Sequence, residues 1–212
     1  MQRLKRALLA ISFVVTVALG SMAQLTASSA FTAAPRSVFP MLDNNTRLDM
    51  VDYFNSGMST PSNNLLDGQS KVTAITPTVL TAKIAETSEA TVVVLNPDSS
   101  SPVIMLIQTV ATPGLDSKIS FYTQDWTPLN PATKYFVAPE LTDWIAPSAK
   151  GSEGMVMAAS PFMLASASVD DAGTTLTLTN NLSSFLDPEV YSSISSSLLP
   201  TLTYHWDGKK FK

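Results

Sequence analysis

Residues 72–97 read VTAITPTVLTAKIAETSEATVVVLNP, and the pattern returns at residues 156–181 as VMAASPFMLASASVDDAGTTLTLTNN, at a constant offset of 84. Val72/Val156, Ala74/Ala158, Pro77/Pro161, Leu80/Leu164, Thr91/Thr175 and Asn96/Asn180 are identical. Ordinary composition would give about two identities over such a length. Thr76/Ser160, Val79/Met163, Glu86/Asp170, Val92/Leu176 and Val94/Leu178 are conservative pairs. Self-similarity at a fixed offset is the mark of a duplicated unit. Both copies are rich in strand-forming residues. Each holds a turn, residues 86–89 in the first and Asp170-Asp171-Ala172-Gly173 in the second, so each predicts a β-hairpin. Val92-Val93-Val94-Leu95 is continuously apolar, which predicts a strand covered on both faces.

On the N-terminal side of this unit, residues 24–40 are rich in Ser, Thr and Ala without a clean period, and predict a mobile lead-in. A helix is expected next, capped by Asn45 or Thr46. Leu48, Val51, Phe54 and Met58 form its apolar face, and Gly57 stops it. Asp49 and Asp52 share one side of that helix and read as a solvated face. On the C-terminal side, residues 103–111 form an apolar strand. Residues 118–124 alternate, with Ile119, Phe121 and Thr123 on one side. Past Pro128 and Pro131 come a short helix over residues 139–145 and then the second hairpin. Asp170 and Asp171 read as turn residues there, because the rest of a calcium loop is missing. Asp187, Pro188 and Glu189 start a further helix, with Val190, Ile194 and Leu198 spaced by four. The last strand covers residues 201–206, with Leu202, Tyr204 and Trp206 on one face. Asp207-Gly208 then turns into a basic tail. The expected fold is α+β: a single domain over residues 41–212, with an antiparallel sheet built from two related helix-plus-strands half-units, about 41–129 and 130–212, and helices packed on the sheet.

The start of the chain predicts export. Arg3, Lys5 and Arg6 precede an apolar run over residues 7–20, and Ser21-Met22-Ala23 makes a small-x-small cleavage site, so residues 1–23 read as a signal peptide. Cleavage would remove three cations and no acid, leaving 189 residues with a net charge of −7 in place of −4. An acidic chain without a basic cluster is not expected to bind nucleic acid or an anionic membrane surface. The mature chain has no second run long enough to span a bilayer. The absence of cysteine excludes disulfides, a thiolate metal site and the lipid anchor of a bacterial lipoprotein. A cysteine-free exported chain of this size suits the periplasm or cell exterior of a Gram-negative bacterium.

Catalytic patterns are sparse. His205 is the only histidine and reads as a surface residue beside Thr203 and Asp207. There is no Gly-x-Ser-x-Gly elbow and no phosphate-cradling glycine loop; a triad needs a base next to a nucleophile, and a zinc site needs at least three ligands, which one histidine without cysteine does not suggest. No cofactor is indicated. Two carboxylates would suffice for a glycosidase, yet nothing marks which two. Aromatic side chains are stronger candidates. Each half closes on a strand ending in aromatic and acidic residues: Phe121-Tyr122-Thr123-Gln124-Asp125-Trp126, and Tyr204-His205-Trp206-Asp207. Tyr122, Trp126, Tyr204, His205 and Trp206 are therefore the candidate binding residues, with Trp144 read as core. The expected function is a non-enzymatic binding or assembly module with a protein or glycan partner. The alternatives are a small carboxylate-dependent hydrolase acting on envelope glycans and a purely structural envelope component.

Three stretches carry a family resemblance: Arg47-Leu48-Asp49-Met50-Val51-Asp52-Tyr53; Asp116-Ser117-Lys118-Ile119-Ser120-Phe121-Tyr122 with Asp125-Trp126; and Leu202-Thr203-Tyr204-His205-Trp206-Asp207-Gly208-Lys209-Lys210-Phe211. In these the chain resembles the uncharacterised secreted domain-of-unknown-function family 3256 of Gram-negative anaerobes, over nearly all of the mature sequence. The resemblance implies a compartment and no mechanism. The helix-plus-four-strand plan is also similar to periplasmic repeat proteins of the beta-lactamase-inhibitor type, by fold analogy alone.

Overall fold

Val92, Val93, Val94 and Leu95 lie in the middle of a six-stranded sheet and are buried on both faces, as their unbroken apolar run predicts. The computed structural model describes residues 24–111 and 113–212. Residues 1–23, read above as an export signal, lie outside the described residues. Two helices come first, α1 (Ala27–Ala33) and α2 (Asn44–Asn55). The sheet follows as β1 (Ser62–Asn63), β2 (Gln69–Ile75), β3 (Val79–Ala85), β4 (Ser88–Leu95), β5 (Val103–Ala111) and β6 (Leu115–Thr123). It is an antiparallel meander ordered in space as in sequence. Short 3-10 turns at Ala132–Lys134, Leu141–Trp144 and Pro147–Ala149 lead to α3 (Glu153–Ala159), β7 (Ala165–Val169), β8 (Thr175–Asn180), α4 (Pro188–Ile194) and β9 (Thr201–His205). The last three strands form a second antiparallel sheet in the order β7-β8-β9. The protein is thus α+β, as the sequence predicts.

Strand alternation divides the core in two. Ala90, Val92 and Val94 of β4 and Ile104 and Leu106 of β5 pack against Phe31, Leu42 and Met50 of the N-terminal helical layer. Val93 and Leu95, Met105 and Ile107, and Phe121 of β6 pack instead against Trp144, Val156, Leu176, Leu182 and Ile194 of the C-terminal half. The six-stranded sheet is therefore a central layer. Each fully buried Val, Leu or Ile stabilises it by about 1.5–3 kcal/mol.

Residues 24–40 are not a mobile lead-in. They hold α1, whose N-cap Thr26 accepts from Ser29 N–H while the Ser29 hydroxyl accepts from Thr26 N–H. Ala27, Ala30, Phe31 and Ala34 recur at three and four residues and are all buried. The face is real but built mostly of alanine, which does not register as a hydrophobic stripe. In α2 the cap is Asp43, whose carboxylate accepts from Thr46 N–H at 2.8 Å, not Asn45 or Thr46. Its buried face is also rotated from the expected one. Arg47, Met50 and Val51 face inward, while Leu48 is 42% exposed. Gly57 takes φ +69 just past this helix, as a left-handed stop requires.

The two half-units correspond only in part. β3–β4 and β7–β8 are both hairpins, but residues 156–159, counterparts of the β2 residues 72–75, lie in α3. Pairing differs as well. Leu80 faces Val92, whereas Leu176, the counterpart of Val92, faces Val169 and not Leu164. The first unit extends into six strands and the second stops at three. Equal helix-plus-four-strand units are therefore absent from the described residues.

The C-terminal half is pinned at two places. The β7–β8 turn presses on the central sheet at Gly173 (φ +73), where a Cβ would overlap Val93 Cγ1. The Thr76 and Thr78 hydroxyls donate to the Asp171 and Ala172 carbonyls at 2.9 and 3.1 Å. At the other place the Trp206 indole N–H donates to Asn96 Oδ1 at 2.9 Å, and the Asn96 amide donates to the Gly208 carbonyl. The basic tail folds back in the same region. His205 and Lys212 exchange backbone bonds, Phe211 is buried, and Lys212 Nζ meets Asp207 at 2.5 Å.

Candidate functional site

The outer edge of β6 is only partly covered. Thr123 N–H donates to the Thr127 carbonyl and Leu129 N–H donates to the Phe121 carbonyl, both at 2.9 Å. In a strand, the N–H and C=O of one residue point to the same side and alternate along the chain. Residues 117, 119, 121 and 123 therefore face outward, and Lys118, Ser120 and Tyr122 face β5. At the far end Asn181 Nδ2 donates to the Leu115 carbonyl at 2.8 Å. Between these two closures, the backbone groups of Ser117 and Ile119 and the N–H of Phe121 meet no partner among the described residues.

A cleft of about 340 Å³ opens beside this edge. Ile119 and Phe121 of β6 line it together with Phe136, Trp144, Met163, Ala165 and Leu178. Trp144 is fully buried, as its assignment to the core requires, and Phe136 packs edge-on against Tyr204 at 5.1 Å. Near the cleft β7 is tied to β6 through side chains: Ala165 N–H donates to Asp116 Oδ1 at 3.2 Å, and Ala167 N–H donates to Ser117 Oγ at 2.9 Å. Asp116 is the single carboxylate among the lining residues, and one of its oxygens already accepts from Ala165.

A second cavity, of about 320 Å³, lies between α2 and the outer edge of β2 and is lined by Met50, Tyr53, Phe54 and Lys71. There β2 carries a bulge between Val72 and Ala74 in its ladder with β3. Such bulges deter edge pairing. β6 pairs without interruption from Leu115 to Thr123, so its edge keeps a regular alternation.

The five sequence-derived candidates do not form one surface. Tyr122 and Trp126 lie on the helical face of the central sheet, with ring centroids 5.2 Å apart. Trp126 is 5% exposed, takes φ +60, and donates its indole N–H to the Ala30 carbonyl at 3.0 Å. Tyr204 and Trp206 belong to the core on the opposite side. Burial, reinforced by the charge of Asp143, raises the Tyr204 phenol above its ordinary value and keeps it neutral. Trp206 packs on Phe211 at 5.1 Å, and His205 is exposed on the outer face of β9. Sequence reasoning missed the cleft, whose walls come from residues 116–121, 132–144 and 163–178. The alternation of Ile119 and Phe121 is the one signal that marks a wall. No group of three or more His, Cys, Asp or Glu among the described residues is placed to hold a metal, and no described helix is long and apolar enough to cross a membrane.

Comparison with known proteins agrees with this fold. One solved structure, of a domain of an uncharacterized protein from Porphyromonas gingivalis W83, aligns with a TM-score of 0.74 at 22% identity, covering 87% of this chain and 96% of that one. At that identity the likeness shows the fold alone. A search of curated proteins found no match. The family described as Protein of unknown function (DUF3256) matches residues 18–211, nearly the whole sequence, and the chain belongs to that family.

Proposed function

We propose that the protein is an exported binding or assembly module of the cell envelope, with no turnover of its own, and that its binding site is the cleft beside the β6 edge. The observation that carries this reading is the coincidence of unpaired backbone groups with an apolar, aromatic-walled cavity at one place. Ligand sites are typically apolar concavities with a few convergent polar groups, and this one has that make-up at the small end of their size range. Hydrolysis by two carboxylates needs a second acid about 5–9.5 Å from the first, and the lining supplies Asp116 alone. The test fills the cleft. Wild-type protein and Ala165→Trp are compared by thermal melting and by capture of components from envelope extract. The expected result is capture by the wild type and its loss in a variant that still melts cooperatively. Equal capture by both would contradict the reading. So would release of glycan fragments by the wild type that a single Asp or Glu substitution abolishes.

A further inference from the structure

We infer that the occupant of the cleft is an extended polypeptide segment that adds to β6 as an antiparallel strand and places an apolar side chain between Phe136 and Met163. This rests on the cleft being the binding site. The first argument is the pattern of unmet groups. From Ser117 to Phe121, outward N–H and C=O groups recur every second residue, about 6.8 Å apart. An extended backbone presents the complementary alternation at the same repeat, which is the basis of strand addition.

The second argument is continuity. The chain itself already adds a short strand to this edge, through Thr127 and Leu129 at Thr123 and Phe121, with Tyr122 opposite Pro128. That self-pairing ends at Leu129, where the chain leaves for the 3-10 turn at Ala132–Lys134. An incoming segment continues the same ladder toward Ser117. The third argument is size and lining. A cavity of about 340 Å³ has room for one or two apolar side chains. Met163 is unbranched and adapts to side chains of different shape.

The test uses the protein expressed with its own N-terminal segment and labelled with ¹⁵N. Three probes are titrated: indole, the blocked peptide Thr-Val-Thr-Phe-Thr-Val-Thr, and the same peptide N-methylated on alternate amides. Indole reads the apolar cleft alone. Amide exchange at Ser117, Ile119 and Phe121 reads strand addition. The expected result is that indole shifts the signals of cleft residues, and that the unmodified peptide slows those three amides. N-methylation should weaken binding roughly tenfold or more, because two or three backbone bonds are lost. If indole binds but neither peptide slows the β6 amides, or if both peptides bind equally, strand addition is overturned and the cleft remains a small-molecule site. If neither indole nor peptide perturbs the cleft, the binding reading itself falls and strand addition falls with it.

Discussion

Gly57 and Gly173 both lie in the left-handed region, at φ +69 and +73, and they separate backbone strain from packing. Nothing lies within 4 Å of a Cβ built on Gly57, so Gly57→Ala pays strain alone, about 1–2 kcal/mol. A Cβ on Gly173 would strike Val93 in the middle of the central sheet. Gly173→Ala should therefore cost clearly more, above about 2 kcal/mol, read from urea unfolding of the two variants side by side. Arg47 offers a second residue-scale test. It is 2% exposed and faces carbonyls, not a carboxylate, donating to Leu42, Thr32 and Ala34, the last two at the end of α1. Burial lowers its pKa, and the nearby Asp43 opposes the shift. Arginine still stays charged at neutral pH. Arg47→Met leaves those carbonyls unmet, and we expect a loss of about 3 kcal/mol or more, with faster proteolysis within residues 24–42. Arg47→Lys should not restore it, since one ammonium cannot replace the planar fork.

At the scale of elements, α1 is held by Trp126, which joins the end of the β6 region to the Ala30 carbonyl and packs on Phe39. Trp126→Ala should cost about 3–5 kcal/mol. Trp206→Ala, at a half-buried site, should cost less, and thermal melting distinguishes the two. The C-terminal hairpin gives a pH dependence. Asp207 is held well below the usual carboxylate range by its hydrogen bond with Lys212 and by the N–H groups of Lys210 and Lys209. Asp43 is lowered by Thr46. Burial pushes Asp170 upward, but bonds from Thr175 and Thr174 outweigh it and leave it lowered. A carboxyl with a depressed folded-state pKa contributes stability that is complete above its unfolded value, about 3.9, and is lost as pH falls through the folded value. Melting temperature should thus hold from neutral pH to about pH 5 and fall below about pH 4, and Asp207→Asn should flatten part of that fall.

The same scale shows what could be read beforehand. β4, β5, β6 and β9 follow from alternation and apolar runs, because in each the local pattern and the burial agree. The Asp187-Pro188 start gives α4, but the helix ends at Ile194 and Val190 is 39% exposed, so of the expected face Val190, Ile194 and Leu198 only Ile194 is a buried residue of the helix. α1 escaped because its buried face is alanine, and the face of α2 was misplaced because a buried position holds Arg47. The two similar stretches, residues 72–97 and 156–181, each hold a hairpin, β3–β4 and β7–β8. Their beginnings differ in kind, since Met155, Met157, Ala158 and Ala159 favour helix where Thr73 and Ile75 favour strand. The cleft was not legible, because three segments remote in sequence form it and only tertiary packing brings Phe136, Met163 and Leu178 to Ile119.

Taken whole, the molecule is a central sheet with a helical layer on one face and a second small sheet on the other. β4 and β5 are sealed by both layers, while β6 is the last strand of the central sheet and lines the cleft through Ile119 and Phe121. Stability and openness therefore sit in neighbouring strands, and the amides of β4 and β5 should exchange only on global unfolding. The central claim is that β6 keeps an open edge beside an apolar cleft. Residue-resolved amide exchange along β6 in the free protein tests it most directly. The account predicts alternation, with Ser117, Ile119 and Phe121 exchanging fast while Lys118, Ser120 and Tyr122 exchange slowly. Uniform protection from Ser117 to Tyr122 would mean that the edge is already covered, and would contradict it.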